Sequence, residues 1–204
     1  RQFSRAEADH ATEFANHHLT LARNNSSTAS DIENRLVDAL SKRVQMPHAV
    51  AAEEFDAWDD AYADAMRAVF RDFDEDHDVM ALFAEALMMR TPWKLWNVKT
   101  GAPAPGADTE ELLAVIERSI AINDHMDAPQ HPAILHLHIH ATEMSHEPER
   151  ALESADTLAS LCPDGGHINH MPGHTYVLCG DYEKAKTASE KAIRADNLYV
   201  EYAG

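Results

Sequence analysis

The sequence is poor in cysteine, in basic residues and in long hydrophobic runs. Its 204 residues include only two cysteines, Cys162 and Cys179, which is too few for a disulfide framework. We therefore expect both to be small core residues in a reducing compartment, and we predict a cytoplasmic protein. A removed leader stays an open alternative, because the chain begins with Arg1 rather than Met.

Basic residues are outnumbered by acidic ones. The 17 Lys and Arg residues stand against 35 Asp and Glu residues, which gives a formal net charge of −18. A surface of that sign repels phosphate backbones and anionic lipid, and no stretch is apolar over the length of a membrane span. We therefore expect neither nucleic acid nor a membrane as a partner. A metal cation or a cationic partner is compatible with this charge.

Helical periodicity is what the sequence has in abundance. Apolar residues recur every three or four positions, as in Phe55, Trp58 and Tyr62, and no segment alternates with period two for long. The stretch Thr91–Asp108 is rich in Pro and Gly and predicts a long irregular loop. We predict an all-α fold of antiparallel helix pairs. The predicted helices are Ser4–Arg23, Ile32–Val44, Glu53–Phe70, Asp78–Met89, Ala107–Ile122, Pro132–Ser145, Pro148–Leu161, Asn169–Cys179 and Tyr182–Ala195.

Four histidines recur with a period of 34 residues. His136 and His140 form one pair, and His170 and His174 form the second pair, each 34 positions further on. A period of 34 is typical of the tetratricopeptide repeat, a helix–turn–helix unit that stacks into a solenoid. Within each pair the spacing of four places both rings on one helix face.

The tetratricopeptide pattern can be placed on the last repeat residue by residue. If Ala185 takes the alanine at position 20 of the pattern, then Gly173 falls at position 8 and Tyr176 at position 11. Gly180 then falls at position 15 and Ala192 at position 27. These are the residue types that the pattern requires, so the register is supported independently of the histidines.

The repeat predicts a right-handed solenoid. We expect residues 1–204 to form a single α-helical domain of this kind, incomplete at one or both ends. The clearest repeats are residues 132–163 and 166–197. Stacking brings equivalent positions of neighbouring repeats side by side, so the two histidine pairs are expected on one wall.

In tetratricopeptide proteins, positions 2, 5, 9 and 12 of the first helix line the concave groove, and the resemblance implies the same here. The residues at these positions include His136, His140 and Glu143 in one repeat and His167, His170 and His174 in the next. A match of Ala84 to position 8 in an earlier repeat places Glu85 level with His140 and His174. His138 falls off this face, and we expect it in the core.

Imidazole nitrogen binds zinc, copper and iron, at about 2.0–2.1 Å for zinc-like ions. One helix can supply two such ligands at a spacing of four, and a neighbouring helix about 8–10 Å away can supply two more. We therefore predict a site for copper, iron or zinc in the groove. The predicted ligands are His136, His140, His170 and His174, with His167 behind them. Glu143 and Glu85 are candidates for acid–base catalysis, and Glu143 could also be a fifth ligand or hold an imidazole N–H.

The chain from about Glu53 to Gly204 resembles a family of tetratricopeptide-repeat proteins from bacteria and fungi, mostly without assigned activity. The matching segments are AYADAMRAVF (61–70), VMALFAEALM (79–88), PWKLW (92–96), IHATE (139–143), PERA (148–151) and HINHMPGHTY (167–176). The resemblance implies the repeat fold. Family members usually continue beyond the equivalent of Gly204 with another histidine-containing segment, which implies that a further ligand could come from there or from another chain.

A histidine-rich site beside a glutamate favours a metal-dependent enzyme that acts on a small-molecule substrate. Redox or oxygen chemistry at copper or iron is favoured over hydrolysis. Trp93 and Trp96 could cover the groove and shape a substrate pocket, or they could pack the long loop onto the solenoid. Two alternatives stay open: a scaffold that binds a peptide or protein partner, and a protein that stores or delivers metal.

Overall fold

The computed structural model describes residues 4–46, 48 and 51–204, with the backbone alone at 52 and 53. Across these ranges the regular structure is helical, apart from one isolated bridge between Trp96 and Pro103. The prediction of an all-α fold is confirmed. The chain forms two compact units, one that ends at Arg90 and one that begins at Thr91. The prediction of a single repeat domain stays a prediction.

In the N-terminal unit, each helix packs against the next one along the chain. The helices are α1 (Arg5–Asn24), α2 (Asp31–Arg43), α3 (Ala52–Asp72) and α4 (His77–Arg90). The side chain of Ser30 accepts a hydrogen bond from the backbone N–H of Glu33, and the carboxylate of Glu33 accepts one from the Ser30 backbone N–H. Such a capping box satisfies two backbone groups at the start of a helix, which explains why α2 begins at Asp31, one residue before the predicted start.

The C-terminal unit contains the helices that carry the histidines. Its helices are α5 (Thr109–Met126), α6 (Pro132–Thr142), α7 (Leu152–Leu161), α8 (Gly166–His170), α9 (Pro172–Leu178) and α10 (Tyr182–Ala203), and a 3₁₀ turn at Pro148–Ala151 precedes α7. Helix α9 packs against α6, α7 and α10. The helices that carry the two predicted histidine pairs thus lie beside each other.

A hydrophobic cluster ties these helices together. Its buried members are Leu135, Ile139, Ala151, Ala155, Leu158, Met171, Tyr176 and Ala185. Gly173 lies in the contact between α9 and α10, where an added Cβ would lie 3.8 Å from the Ala185 carbonyl oxygen and 3.9 Å from the Ala188 Cβ, both ordinary van der Waals distances. Because these positions face inward, the opposite faces of α6, α8 and α9 are left for the predicted site residues.

The segment Asn169–Cys179, predicted as one helix, is divided at Met171. Proline has no backbone N–H, so Pro172 cannot donate to the carbonyl of Ile168. Met171 nevertheless keeps helical backbone angles, with φ −54° and ψ −42°. The hydrogen-bond ladder is therefore interrupted while the path of the chain continues.

The two cysteines lie in different surroundings. Cys162 is half-buried, whereas Cys179 is exposed at the end of α9. The expectation that both are core residues is therefore wrong for Cys179, because the chain turns toward solvent at Gly180, which has φ +82°. Among the helices in the described ranges, none is both long and apolar enough to cross a bilayer.

Candidate metal centre

Three of the predicted ligands form a compact group. His136 and His140 lie on α6, and His167 lies on α8. One nitrogen of each of the three rings lies within 4.8 Å of the other two. The Nε2 atoms of His136 and His167 are 3.1 Å apart. Three imidazoles at these distances are close enough to hold one transition-metal ion.

The other two predicted ligands form a second, adjoining pair. The Nε2 atoms of His170 and His174 are 3.0 Å apart, and their ring centroids are 4.8 Å apart. His140 and His174 connect the two groups, with ring centroids 5.9 Å apart. All five predicted histidines are thus brought together by the packing of α6, α8 and α9.

Glu143 links the two groups. Its Oε1 atom lies 2.8 Å from Nδ1 of His140, and its Oε2 atom lies 2.6 Å from Nδ1 of His174. An ionised carboxylate can only accept hydrogen bonds, so both Nδ1 atoms carry the proton and donate. In the neutral form of each ring, Nε2 then carries no proton, and this is the form that binds a metal.

The protonation of Glu143 agrees with this role. Burial would raise the pKa of its carboxyl group, but the hydrogen bonds from His140 and His174 outweigh burial and lower the pKa to about 2. Only 10% of the Glu143 side chain is exposed. At neutral pH the carboxylate is therefore a fixed negative charge enclosed between two imidazoles.

The histidines differ in their affinity for protons. Burial, assisted by the neighbouring His140 and His167, lowers the pKa of His136 to about 4. Burial also lowers the pKa of His170, whereas the hydrogen bond to Glu143 raises the pKa of His174. His136 is consequently neutral at physiological pH and has a lone pair available for a metal ion.

The two tryptophans of the long loop have separate roles. The indole N–H of Trp96 donates to the carbonyl of Ala141 at 2.6 Å, which fastens the loop to the last turn of α6. Trp93 lies edge-on to the His140 ring, with centroids 6.0 Å apart, and is 71% exposed. Its φ of +61° is in the left-handed region, which a bulky residue rarely adopts. Trp96 therefore packs the loop, and Trp93 lies beside the site.

An open cavity of about 490 Å³ adjoins the second pair. His170, His174 and the Glu143 carboxylate lie on its polar side, and its remaining lining, which includes Trp93 and Val177, is mainly apolar. A concave apolar surface with a few converging polar groups is typical of a small-molecule site. The apolar lining of this cavity could not be predicted from the sequence, because Val177 becomes part of a cavity wall only when α9 packs against α10.

Two other predicted residues lie elsewhere. His138 is buried, and its Nδ1 atom lies 2.7 Å from the Ser154 hydroxyl, so the prediction that it packs in the core is confirmed. Glu85 lies on α4 of the N-terminal unit, where its side chain is exposed. Burial of the Tyr62 side chain, together with the negative charge of Glu85, raises the pKa of Tyr62 to about 12. A catalytic role for Glu85 stays a prediction.

Comparison with known proteins identifies no relative of this chain. No family model, curated protein or solved structure matches this chain. The resemblance to a tetratricopeptide-repeat family therefore stays a prediction. What the site does has to be inferred from its own geometry.

Proposed function

We propose that this protein binds a transition-metal ion through His136, His140 and His167 and is a metal-dependent enzyme. The observation that carries the proposal is the mutual proximity of their donor nitrogens, all within 4.8 Å. A ligand set made only of imidazole suits copper, zinc and iron. Copper is our first choice, because sites of this kind bind divalent copper most tightly of the first-row metals.

Glu143 supports redox or oxygen chemistry over hydrolysis. A hydrolytic enzyme needs a base that takes a proton from the attacking water, and an efficient base has a pKa near the working pH. Both oxygens of Glu143 are occupied by imidazole N–H groups, and its pKa is about 2. We therefore assign Glu143 to positioning of His140 and His174 rather than to proton abstraction.

The scaffold that we propose is a right-handed tetratricopeptide-like solenoid, with the site on its concave side. The 34-residue period supports this proposal, as does the burial of the positions that the repeat pattern requires to be small or large. In the last repeat these are Gly173, Tyr176, Ala185 and Ala192, all buried. The packing of α6 beside α9 is the contact that stacked repeats make between their first helices.

The substrate that we propose is a small molecule in the open cavity. A volume of about 490 Å³ lies in the usual range for ligand pockets. Trp93 is held in a strained backbone conformation next to His140, and strain of this kind is concentrated at functional sites. Its exposed indole offers an aromatic surface at the entrance.

Metal analysis tests the proposal. The purified protein, saturated with Cu²⁺ and dialysed, is expected to retain metal in elemental analysis. His140→Ala and His167→Ala are each expected to weaken retention at least tenfold. His125→Ala is the matched control, because His125 is an exposed histidine on α5 of the same unit. Equal retention by wild type, His140→Ala and His167→Ala would overturn the proposal.

Turnover separates an enzyme from a storage or delivery protein. The copper-loaded protein is supplied with a reductant, and oxygen consumption is measured with an electrode. Consumption that exceeds the His140→Ala background supports oxygen chemistry. Stable binding of copper without turnover would favour storage or delivery instead.

A further inference from the structure

We infer that this site holds two metal ions, the second of them bound between His170 and His174. This inference rests on the proposed function, since it adds an ion to the same histidine cluster. The second ion has its own ligand pair and its own access to the cavity, and it shares the hydrogen-bonded support of Glu143 with the triad.

The distances between donor atoms fit two ions. With metal–nitrogen bonds of about 2.0–2.1 Å, two imidazoles on one ion at angles between square-planar and tetrahedral have donor atoms about 2.8–3.4 Å apart. The Nε2 atoms of His170 and His174 are 3.0 Å apart, and those of His136 and His167 are 3.1 Å apart. The cluster therefore contains two separate pairs, each with the spacing of ligands on a shared ion.

The second pair of histidines is separate from the triad. In the part of the chain that the structure describes, the group of nitrogens within 4.8 Å of one another contains His136, His140 and His167. His170 and His174 are outside this group, although both lie on the neighbouring helices. One ion at the triad consequently leaves the second pair available to bind an ion of its own.

Glu143 orients one imidazole ring in each of the two groups. The Nδ1–H of His174 donates to one oxygen of Glu143, and the Nδ1–H of His140 donates to the other. A carboxylate that holds the far nitrogen of a metal-binding imidazole fixes the ring and makes it a stronger ligand. Glu143 provides this support to one histidine of the triad and to one histidine of the second pair.

The two ions would differ in access. His170 and His174 line the cavity of about 490 Å³, whereas the three triad histidines are not part of its lining. An ion with two protein ligands has coordination positions left for an external molecule, which is the arrangement of catalytic rather than structural sites. The second ion is thus the one that contacts a substrate, and the cavity fits a small, largely apolar molecule with one oxygen or nitrogen donor.

The test is the number of copper ions per chain. Wild type, His136→Ala and His170→Ala are dialysed against the same free Cu²⁺ concentration, and bound copper is measured by elemental analysis. We expect two ions in wild type and one in each variant, with a magnetically coupled copper signal in electron paramagnetic resonance of wild type only. His136→Gln repeats the measurement in case the alanine variant fails to fold, and His125→Ala is again the control.

The outcomes distinguish this inference from the proposed function. One ion in wild type that His170→Ala retains would overturn the second site and leave the triad intact. One ion that is lost in both variants would mean a single shared ion, which also overturns the second site. No bound copper in wild type would overturn the proposed function together with this inference.

Discussion

His136 and His140 lie on one unbroken helix, whereas His170 and His174 lie on either side of the interruption at Met171. The ring centroids are nevertheless 4.8 Å apart in both pairs, with interplanar angles of 70° and 72°. Helical backbone angles at Met171 are enough to keep the spacing, even without the hydrogen bond that Pro172 cannot donate. The spacing of four residues along a helical path thus determines the geometry of both pairs.

The two histidine pairs have nearly the same ring geometry, but their surroundings differ. His136 is half-buried and adjoins a third imidazole, and its pKa is lowered to about 4. His170 is exposed and lines the cavity. Neighbouring elements rather than the spacing of the histidines therefore decide which pair is protected and which pair is accessible to a small molecule.

The largest expected effect comes from Glu143→Gln, which removes a carboxylate that contacts a histidine of each pair. A glutamine amide has one oxygen acceptor and one NH₂ donor, so it cannot accept from His140 and His174 with both of its polar atoms. We expect copper affinity to fall about 10–100-fold, as for other residues that orient metal ligands. Competition with a chelator of known affinity measures the change.

The matched control is Glu147→Gln, because Glu147 is an exposed acid five residues after the end of α6. It removes one negative charge without touching an imidazole that the site uses. An equal loss of affinity in both variants would mean that Glu143 acts only through its charge. The hydrogen bonds of Glu143 to the two histidine pairs would then not explain its effect on copper affinity.

The second prediction concerns the loop that is fastened beside the first pair. Trp96→Phe removes the N–H that donates to the Ala141 carbonyl in the last turn of α6, where carbonyl groups lack a partner within the helix. We expect the free energy of unfolding to fall by about 1–3 kcal/mol. Urea denaturation measures it. Trp93→Phe, at an exposed position, is expected to change it by less than about 0.5 kcal/mol, and equal effects would contradict this assignment.

The third prediction concerns protonation of the metal-free protein. Since the pKa of His136 is lowered to about 4 and that of His174 is raised, His174 is expected to gain its proton first as the pH falls. NMR titration of the imidazole signals measures both. Two histidines that titrate together near their ordinary pKa would contradict the environments described here.

Stability follows from the same shifts. Between pH 6.5 and about 4, the unfolded chain protonates at His136 while the folded chain does not, so this histidine makes the fold less stable as the pH falls. The lowered pKa of Glu143 stabilises the fold above its ordinary pKa of 4.5, and this stabilisation is lost as the pH falls toward about 2. Thermal unfolding of wild type and Glu143→Gln over this range measures the second contribution.

The smallest effect is expected for Pro172→Ala. The substitution restores an N–H that can donate to the Ile168 carbonyl and also loosens the unfolded chain, so the two effects oppose each other. We expect the free energy of unfolding to change by less than about 1 kcal/mol, with copper binding unchanged. A large loss of copper at His170 and His174 would show that the proline itself holds this pair in place.

Much of the site could be predicted because its signals are local or periodic. The spacing of four puts His136 beside His140, and the period of 34 puts the second pair at the equivalent place. The spacing of three also allows Glu143 to reach His140. None of these inferences needs more than the geometry of one helix and the stacking of like units.

Other features could not be predicted, because they depend on contacts between distant segments. The contact of Glu143 with His174 joins residues 31 positions apart and requires α6 to lie against α9. The separate roles of Trp93 and Trp96 depend on how the loop meets α6, and the exposure of Cys179 depends on where α9 ends.

By itself, the sequence determined the helical class and the two histidine pairs with their spacing, because periodicity is a property of a chain that follows helical geometry. Only the tertiary structure decided that His167 completes a triad with the first pair, that one carboxylate serves both pairs and that the second pair faces a cavity. The physical reason is that protonation and access are set by the atoms around a side chain, and packing alone brings those atoms together.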